Sequence, residues 1–251
     1  MRVTLDHMPA RQAIAADEAL LAAAVAAGEP RVRWWRAASG TSAIVLGLGL
    51  RHRVADIVDA ERAAAAGVPV LERQAGGGAL LLDQGMLCGA IAVPLPNPGV
   101  GADLTESYRW LGDWLVERLG LAGIAARRLE VAEARGDLAT WRARAAAEDA
   151  VARLLLAACY GALSPHEIVD ARGRKLVGLA QVRRRAGALF QVGVLLRDQS
   201  ALADLLRLPD EATRERLRGE LARRTVGVKT LTRRSTSAVV AAIADATPFA
   251  P

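Results

Sequence analysis

The sequence predicts an α+β fold in which helices flank a mostly antiparallel sheet. Short apolar segments follow one another with glycine-containing turns between them, a pattern typical of hairpins. Longer alanine-rich segments carry apolar residues at helical spacing. The succession of hairpins argues against a doubly wound parallel sheet, in which each strand needs a crossover helix.

In the first half of the chain, apolar spacing predicts a helix over 11–27 and a second helix over 54–66 that ends at Gly67. Gly40 marks a turn between the first two strands. We expect the strands Ala79–Leu82 and Met86–Val93 to form a hairpin through residues 83–85. The predicted strands are Val32–Arg36, Ser42–Leu48, Val68–Leu71, Ala79–Leu82 and Met86–Val93.

In the second half, a proline- and glycine-rich loop over 94–101 precedes a predicted helix over 103–119. Alanine and arginine dominate 138–158, which favours a single helix. From residue 199 onward the pattern is helical again, with Pro209-Asp210 as a helix start. The predicted strands are His166–Asp170, Lys175–Val182 and Ala188–Leu196.

The chain is basic, with 251 residues, a net charge of +6 and a pI of about 10.3. Excess arginine suits nucleic acid, an anionic membrane or an acidic protein partner. Zinc-finger spacing, an RNA-recognition signature and a long basic tail are all missing from the sequence, so we expect no nucleic-acid binding. The longest uncharged stretch, 84–102, is interrupted by prolines and glycines, so we expect no membrane helix and a cytoplasmic protein.

Two cysteines, Cys88 and Cys159, are too few for a disulfide framework or a paired-cysteine zinc site, and we expect no metal ligands. The neighbours of Cys88 are apolar or glycine, which favours core packing. Cys159 is followed by Tyr160 and stands between an apolar helical segment and a strand. An isolated cysteine is usually a small buried residue, whereas this context also suits a nucleophile.

The segment Arg73-Gln74-Ala75-Gly76-Gly77-Gly78 is the first candidate binding motif. Adjacent glycines let backbone N–H groups approach a ligand closely, because no side chain stands in the way. A strand rather than a helix follows, which excludes the dinucleotide-binding pattern, and the Gly-Lys-Ser or Gly-Lys-Thr of a Walker loop is missing. The segment is therefore either a flexible connection or a pocket for an anionic or polar group.

The second candidate motif is Lys175, a lysine on an apolar strand directly after the turn at Gly173. A solvated turn lysine and a fixed positive charge in a binding site are both compatible with this position. At the second kind of site, an ammonium group would stabilise negative charge that develops on an acyl oxygen.

The order and spacing of these motifs resemble the lipoate–protein ligase and octanoyltransferase family, the biotin/lipoate protein ligase catalytic domain, over roughly residues 10–200. The stretch from Gly173 to Gln181 reproduces the family's Gly-x-Lys-x-x-Gly-x-x-Gln motif. The resemblance implies a class II biotin/lipoate synthetase-like α+β fold. It assigns catalytic roles to Cys159 and Lys175. It also implies substrate contacts for Arg73, Gly76, Gly77, Gly78, Ala79, Asp83, Gly178 and Gln181.

The Cys159-Tyr160 pair matches the family branch that uses a cysteine nucleophile. The resemblance therefore implies transfer of an octanoyl or lipoyl group to a specific lysine of a lipoyl domain through a Cys159 thioester, without a cofactor. The alternative is an ATP- and Mg²⁺-dependent lipoate–protein ligase in which Lys175 orients an acyl-adenylate. A non-catalytic acyl-binding relative is the third interpretation.

In a later segment, Gln191 stands where the family has a histidine. Three positions around the glycine loop also depart from the family pattern, and each of these departures removes a polar contact. Glu72 replaces an arginine, Ala75 replaces a serine or threonine, and Leu82 replaces a histidine. These losses weaken adenylate binding more than acyl binding and favour the transferase. The pair Asp17-Glu18 matches an acidic pair of the family, although a solvated helix face explains it equally well.

The implied acceptors are lipoyl domains or the glycine cleavage H protein, with acyl carrier protein as a donor. We expect residues 1–200 to form the acyl-transfer catalytic domain. Residues 201–251 are expected to form a small helical segment that either belongs to the same domain or makes a separate lobe.

Overall fold

The computed structural model describes residues 5–97, 100–101 and 103–249 and places them in two sheets surrounded by helices. The strands are β1 (Leu5–Met8), β2 (Arg31–Ala37), β3 (Ala43–Leu46), β4 (Val70–Glu72), β5 (Leu80–Leu82), β6 (Met86–Pro94), β7 (Ala126–Arg128), β8 (Ile168–Asp170), β9 (Lys175–Arg184) and β10 (Gly187–Leu195). The helices are α1 (Ala10–Ala27), α2 (Val54–Ile57), α3 (Ala60–Ala65), α4 (Leu104–Leu121), α5 (Val131–Ala146), α6 (Ala150–Ala157), α7 (Glu211–Arg224), α8 (Val228–Leu231) and α9 (Thr236–Ala244). Short 3₁₀ helices cover Leu48–Arg53 and Ser200–Leu205.

The larger sheet has the strand order β1-β2-β6-β10-β9-β8-β7. Its β1 and β2 pair in parallel, and its other pairs are antiparallel. The smaller sheet has the order β4-β3-β5, with β3 parallel to β4 and antiparallel to β5. The predicted α+β fold with a mostly antiparallel sheet is confirmed.

Helices cover both faces of the larger sheet. On one face, α4 places Leu111, Leu115 and Leu119 in the same buried cluster as Phe190 of β10. On the other face, α1 packs across β2, β6 and β10 and ends at Gly28, which has the left-handed conformation usual after a helix. The cavity described below lies on the α1 face.

The predicted hairpin between β5 and β6 is wrong, because the two strands belong to different sheets. The connecting turn redirects the chain. Gly85 N–H donates to the Asp83 carboxylate at 2.5 Å, and the Gly85 carbonyl accepts from the backbone of Leu196 and Arg197. Both strands are buried on both faces, so neither shows the alternation that would have revealed its partner.

Two predicted helices are interrupted. The segment predicted over 54–66 breaks at Val58, which is extended and bridges Leu206, and Asp59 then caps α3. The helix predicted over 138–158 starts earlier, at Val131, and breaks at Glu148, whose φ is 61°. Asp149 then caps α6, which runs directly into Cys159.

The C-terminal segment packs on the rest of the chain. Leu217 and Leu221 of α7 share a buried cluster with Leu154 and Leu155 of α6. The Val226 N–H donates to the Lys175 carbonyl at 3.0 Å. As predicted, Asp210 starts α7, where its side chain accepts from Thr213 N–H. We propose that residues 201–251 form one domain with residues 1–200.

Candidate active site

The floor of a cavity is a row of four residues that lie directly opposite one another across β2, β6, β10 and β9. The row consists of Trp35, Cys88, Gly193 and Gly178. Opposite residues in an antiparallel sheet point to the same face. Two glycines at the β9 end therefore leave open space above the sheet, and a tryptophan closes the β2 end.

The cavity is narrow and mainly apolar. Its walls come from the floor strands, α1, the smaller sheet and the chain after α6. The lining residues are Ile14, Asp17, Trp35, Val45, Arg73, Leu80, Leu82, Met86, Cys88, Gly89, Cys159, Tyr160, Gly178, Leu179, Ala180, Gln191, Val192 and Gly193. Apolar walls with few polar groups are typical of a site for an aliphatic ligand.

Tyr160 fills the space above the two floor glycines. Its hydroxyl donates to the Gly193 carbonyl at 2.5 Å. A side chain on Gly193 would put its Cβ 2.2 Å from the Tyr160 hydroxyl oxygen, and one on Gly178 would come within 3.0 Å. Tyr160 is fully buried and thereby anchors the neighbouring Cys159 at the cavity wall.

Cys159 is held to the glycine loop by its main chain. Its N–H donates to the Ala79 carbonyl, and the Ala79 N–H donates to the Ala157 carbonyl, both at 2.7 Å. Gly78 makes this approach possible, because a Cβ at that position would lie 2.5 Å from Cys159 N. Cys159 is half-buried, and its side chain lines the cavity.

Arg73 reaches the cysteine side chain from the end of β4. Its Nη2 donates to the Gly76 carbonyl at 2.8 Å and to Cys159 Sγ at 3.7 Å. The guanidinium group occupies the space where Gly77 lacks a side chain, since a Cβ there would lie 2.7 Å from Nη2. The glycine loop and the cysteine, which the sequence could only suggest as separate motifs, meet at this point.

Lys175 lies behind the cysteine, with 1% of its surface exposed. Its Nζ donates to the carbonyls of Cys159 at 2.7 Å and Ala162 at 3.2 Å and forms an ion pair with Glu167 Oε1 at 2.7 Å. These three acceptors match the three N–H bonds of an ammonium group. Lys175 therefore contacts the main chain of Cys159 and is not among the residues that line the cavity.

Glu167 completes this buried arrangement. Its carboxylate also accepts from the backbone N–H groups of Ser164 at 2.8 Å and Leu179 at 3.3 Å. Burial raises the pKa of Glu167, and the neighbouring Lys175 opposes that rise. The Glu167–Lys175 pair ties β9 to the turn that carries Cys159.

Asp17 adds a carboxylate to the cavity wall from α1. Its carboxylate accepts from Arg33 Nη1 at 2.6 Å, from Trp35 Nε1 at 3.4 Å and from Gln191 Nε2 at 3.5 Å. Burial raises the pKa of Asp17 to about 6, despite the opposing charge of Arg33. A partly protonated carboxyl group near neutral pH is therefore part of the cavity wall.

The raised pKa of Asp17 predicts a pH-dependent stability. The folded protein keeps the Asp17 proton up to about pH 6, whereas the unfolded chain releases it near the ordinary value of 3.8. Rising pH across this interval therefore favours the unfolded state. At about 1.4 kcal/mol per pKa unit, the wild type should lose about 3 kcal/mol of unfolding free energy relative to Asp17→Asn. Urea denaturation of the wild type and of Asp17→Asn at several pH values in this interval tests the prediction. A difference in unfolding free energy that stays constant with pH would contradict it.

Of the eight residues with predicted substrate contacts, Arg73 and Gly178 line the cavity, and the other six are not among its lining residues: Gly76, Gly77, Gly78, Ala79, Asp83 and Gln181. Asp83 forms an ion pair with Arg197 at 2.8 Å in the turn after β5. Gln181 is three positions from Gly178 on β9, and alternate residues of a strand face opposite sides. Gln181 therefore lies on the sheet face away from Gly178, opposite Phe190 in the pairing register. Their substrate contacts stay predictions.

Asp17 and Cys88 line the cavity, although neither is among the site residues predicted from the sequence. The available signal for Asp17 was its position on the apolar face of α1, together with the buried Ala13 and Ile14. A carboxylate on such a face usually has a buried partner, here Arg33. Cys88 is buried as predicted, and burial raises its thiol pKa, yet it also lines the cavity floor.

The model of the lipoyl protein ligase A/B catalytic domain matches residues 9–246, nearly the whole chain. The chain belongs to the lipoyl protein ligase A/B catalytic domain family. Family membership confirms the resemblance seen in the sequence motifs.

Curated relatives of this lipoyl ligase family chain include two bacterial proteins named octanoyltransferase LipM. The protein of Kyrpidia tusciae is 34% identical over 188 residues, which cover 74% of this chain and 63% of the relative. The protein of Anoxybacillus flavithermus is 28% identical over 209 residues, which cover 82% of this chain and 68% of the relative. The chain thus spans about two thirds of the length of these relatives.

Among solved structures, the chain is similar to a bipartite lipoate protein ligase of Thermoplasma acidophilum, described together with its E2 lipoyl domain. The TM-score is 0.72 at 20% identity, and the match covers 97% of this chain and 81% of the other. This similarity shows the fold of the lipoyl ligase family and confirms the predicted class II synthetase-like architecture.

Two further observations concern the described residues of this lipoyl ligase family member. Within 5–97, 100–101 and 103–249, no helix has both the length and the apolar character needed to span a membrane. In the same ranges, no three histidine, cysteine, aspartate or glutamate side chains are grouped where they would hold a metal ion.

Proposed function

We propose that this protein transfers an octanoyl group from a thioester donor to a specific lysine of a lipoyl domain, with Cys159 as the intermediate carrier. The observation that carries the proposal is the position of the Cys159 thiol. It lies in the wall of a narrow apolar cavity, beside the glycine loop and with a guanidinium group 3.7 Å from its sulfur. The octanoyltransferase names of the relatives support the same acyl chain.

The proposed reaction has two steps. The Cys159 thiolate attacks the carbonyl carbon of the donor thioester, so a new C–S bond forms while the donor sulfur leaves and takes up the proton that the cysteine lost. The lysine amine of the acceptor then attacks the same carbon. An amide bond forms, the bond to Cys159 breaks, and the released thiolate accepts the proton from the amine.

The cavity walls explain how the acyl chain is held. Ile14, Val45, Leu80 and Met86 offer aliphatic contacts to a medium-length chain, and burial of each methylene group contributes about 0.8 kcal/mol. Asp17 adds a polar group to this wall. The same cavity would accept a lipoyl group, which shares the aliphatic chain.

The donor and acceptor proteins follow from the proposed chemistry. A carrier protein that holds an acyl thioester, such as acyl carrier protein, supplies the octanoyl group. A lipoyl domain supplies the lysine, as the Thermoplasma ligase and its E2 lipoyl domain suggest. The net charge of +6 favours encounter with an acidic acceptor.

The ATP-dependent ligase is the second candidate, because the structural relatives are ligases. In that reaction ATP would activate the acyl group as an adenylate, with Mg²⁺ on the phosphates. Lys175 fits this role poorly. Its ammonium group already binds Cys159, Ala162 and Glu167, so a phosphate contact would require breaking a buried ion pair.

Two donor mixtures distinguish the candidates. One contains octanoyl-acyl carrier protein without nucleotide, and the other contains free octanoate with ATP and Mg²⁺. Each is incubated with the protein and a lipoyl domain, and a domain with arginine in place of its acceptor lysine is the control. The proposal predicts an octanoylated domain in the first mixture. Product in the second mixture alone would establish the ligase, and octanoate binding without product in either would indicate a non-catalytic relative.

A further inference from the structure

We propose that Arg73 is a catalytic residue that stabilises the Cys159 thiolate, and that the glycine loop exists partly to admit its guanidinium group. The inference deepens the proposed function and concerns the same site. The motif comparison assigns Arg73 to the substrate and points to Lys175 as the charged catalytic partner. The contacts of the Arg73 and Lys175 side chains support a different assignment of these roles.

Arg73 Nη2 donates a hydrogen bond to the sulfur of Cys159 at 3.7 Å, which places a positive charge against the thiol. Lys175 binds the carbonyl of Cys159 instead, and its remaining donors go to Ala162 and Glu167. A nearby positive charge favours the thiolate over the thiol, and the thiolate is the nucleophile. Arg73 is therefore the residue placed to make the thiol reactive.

Both partners of this contact are held by their main chains. The Arg73 N–H donates to the Leu46 carbonyl at 3.0 Å, which extends the pairing of β4 with β3, and Nη2 donates to the Gly76 carbonyl at 2.8 Å. Cys159 is fixed by Ala79 on one side and Lys175 on the other. The guanidinium group and the sulfur therefore face each other without a need for the loop to rearrange.

Gly77 makes this geometry possible in two ways. Its φ of 102° is a conformation that residues with a side chain rarely adopt. A Cβ at Gly77 would also lie 2.7 Å from Arg73 Nη2 and 3.6 Å from Cys159 Sγ, against both groups. Alanine at this position would therefore push the guanidinium group away from the sulfur while leaving Arg73 in the sequence.

The test is the rate at which iodoacetamide alkylates Cys159 at neutral pH, followed by peptide mass spectrometry. Iodoacetamide is small and uncharged, so the rate reports thiolate reactivity without any acyl donor. We expect Arg73→Gln and Gly77→Ala to slow alkylation at least about tenfold. Arg184→Gln is the matched control, because Arg184 is an exposed arginine that bonds the same loop through Gln74 at 2.7 Å. It should leave the rate unchanged.

Two results would overturn the inference. One is alkylation of Arg73→Gln at the wild-type rate, and the other is an equal loss in Arg184→Gln, which would reveal a general effect of charge or loop order. Circular dichroism of each variant verifies the fold. The alkylation rate can be measured even if the protein transfers no octanoyl group. The proposed function and the role of Arg73 can therefore be refuted independently.

Discussion

Replacement of Cys159 by alanine is expected to remove the acyl-enzyme and to lower the rate of octanoyl transfer by about a thousandfold or more. The substitution deletes only the sulfur. The hydrogen bonds of the Cys159 main chain to Ala79 and Lys175 remain available, so the fold and the cavity should persist. The measurement is the rate of lipoyl-domain octanoylation, with intact-protein mass spectrometry of the enzyme alongside.

Cys88→Ala is the matched control for this prediction. Cys88 is the second cysteine of the chain and also lines the cavity, but it is buried and its thiol pKa is raised. Its thiol should therefore stay protonated and unreactive. The control variant should still gain an octanoyl group at Cys159, whatever the substitution does to octanoyl affinity. An adduct that disappears in Cys88→Ala and persists in Cys159→Ala would reverse the assignment.

Lys175→Met is expected to reduce both stability and transfer. The substitution leaves Glu167 buried without its cation and leaves the Cys159 and Ala162 carbonyls without a donor. Breaking one side of a buried ion pair typically costs about 3–5 kcal/mol. Urea denaturation should show a loss of this size, and the transfer rate should fall because the turn that carries Cys159 is released.

The double variant Lys175→Met/Glu167→Gln separates the two effects. Glutamine removes the unpaired charge and keeps one oxygen, which can accept from one of the two N–H groups, Ser164 or Leu179, that bond different carboxylate oxygens of Glu167. Stability should therefore return toward that of the wild type, while transfer stays low because the Cys159 carbonyl still lacks its donor. Recovery of transfer together with stability would show that Lys175 serves only to neutralise Glu167.

Much of the fold follows from local sequence patterns. The strands β9 and β10 pair as a hairpin because two apolar runs flank a short arginine-rich turn before Gly187. The helix α4 follows from its apolar spacing. Sheet membership depends on contacts between distant segments, so β5 and β6, both buried throughout, gave no sign that they belong to separate sheets. The three-residue strand β7 was not predicted.

The site was predictable in its members but not in their contacts. Motif spacing singled out Arg73, Cys159 and Lys175. The partners of Lys175 are largely backbone carbonyls, which every residue has, so no sequence signature marks them. Arg73 and Cys159 are 86 positions apart and meet only because β4 and the end of α6 converge on the glycine loop. The burial of Asp17 in α1 likewise depends on its ion pair with Arg33, which lies on β2.

The most direct test of the account is a single-turnover chase of the isolated acyl-enzyme. The protein is charged with octanoyl-acyl carrier protein, separated from the donor, and mixed with a lipoyl domain in the absence of ATP. If Cys159 is the carrier, the octanoyl group leaves Cys159 and appears on the acceptor lysine in equal amount. An acyl-enzyme that persists or hydrolyses without forming the octanoylated domain would contradict the proposed role of Cys159 as the carrier.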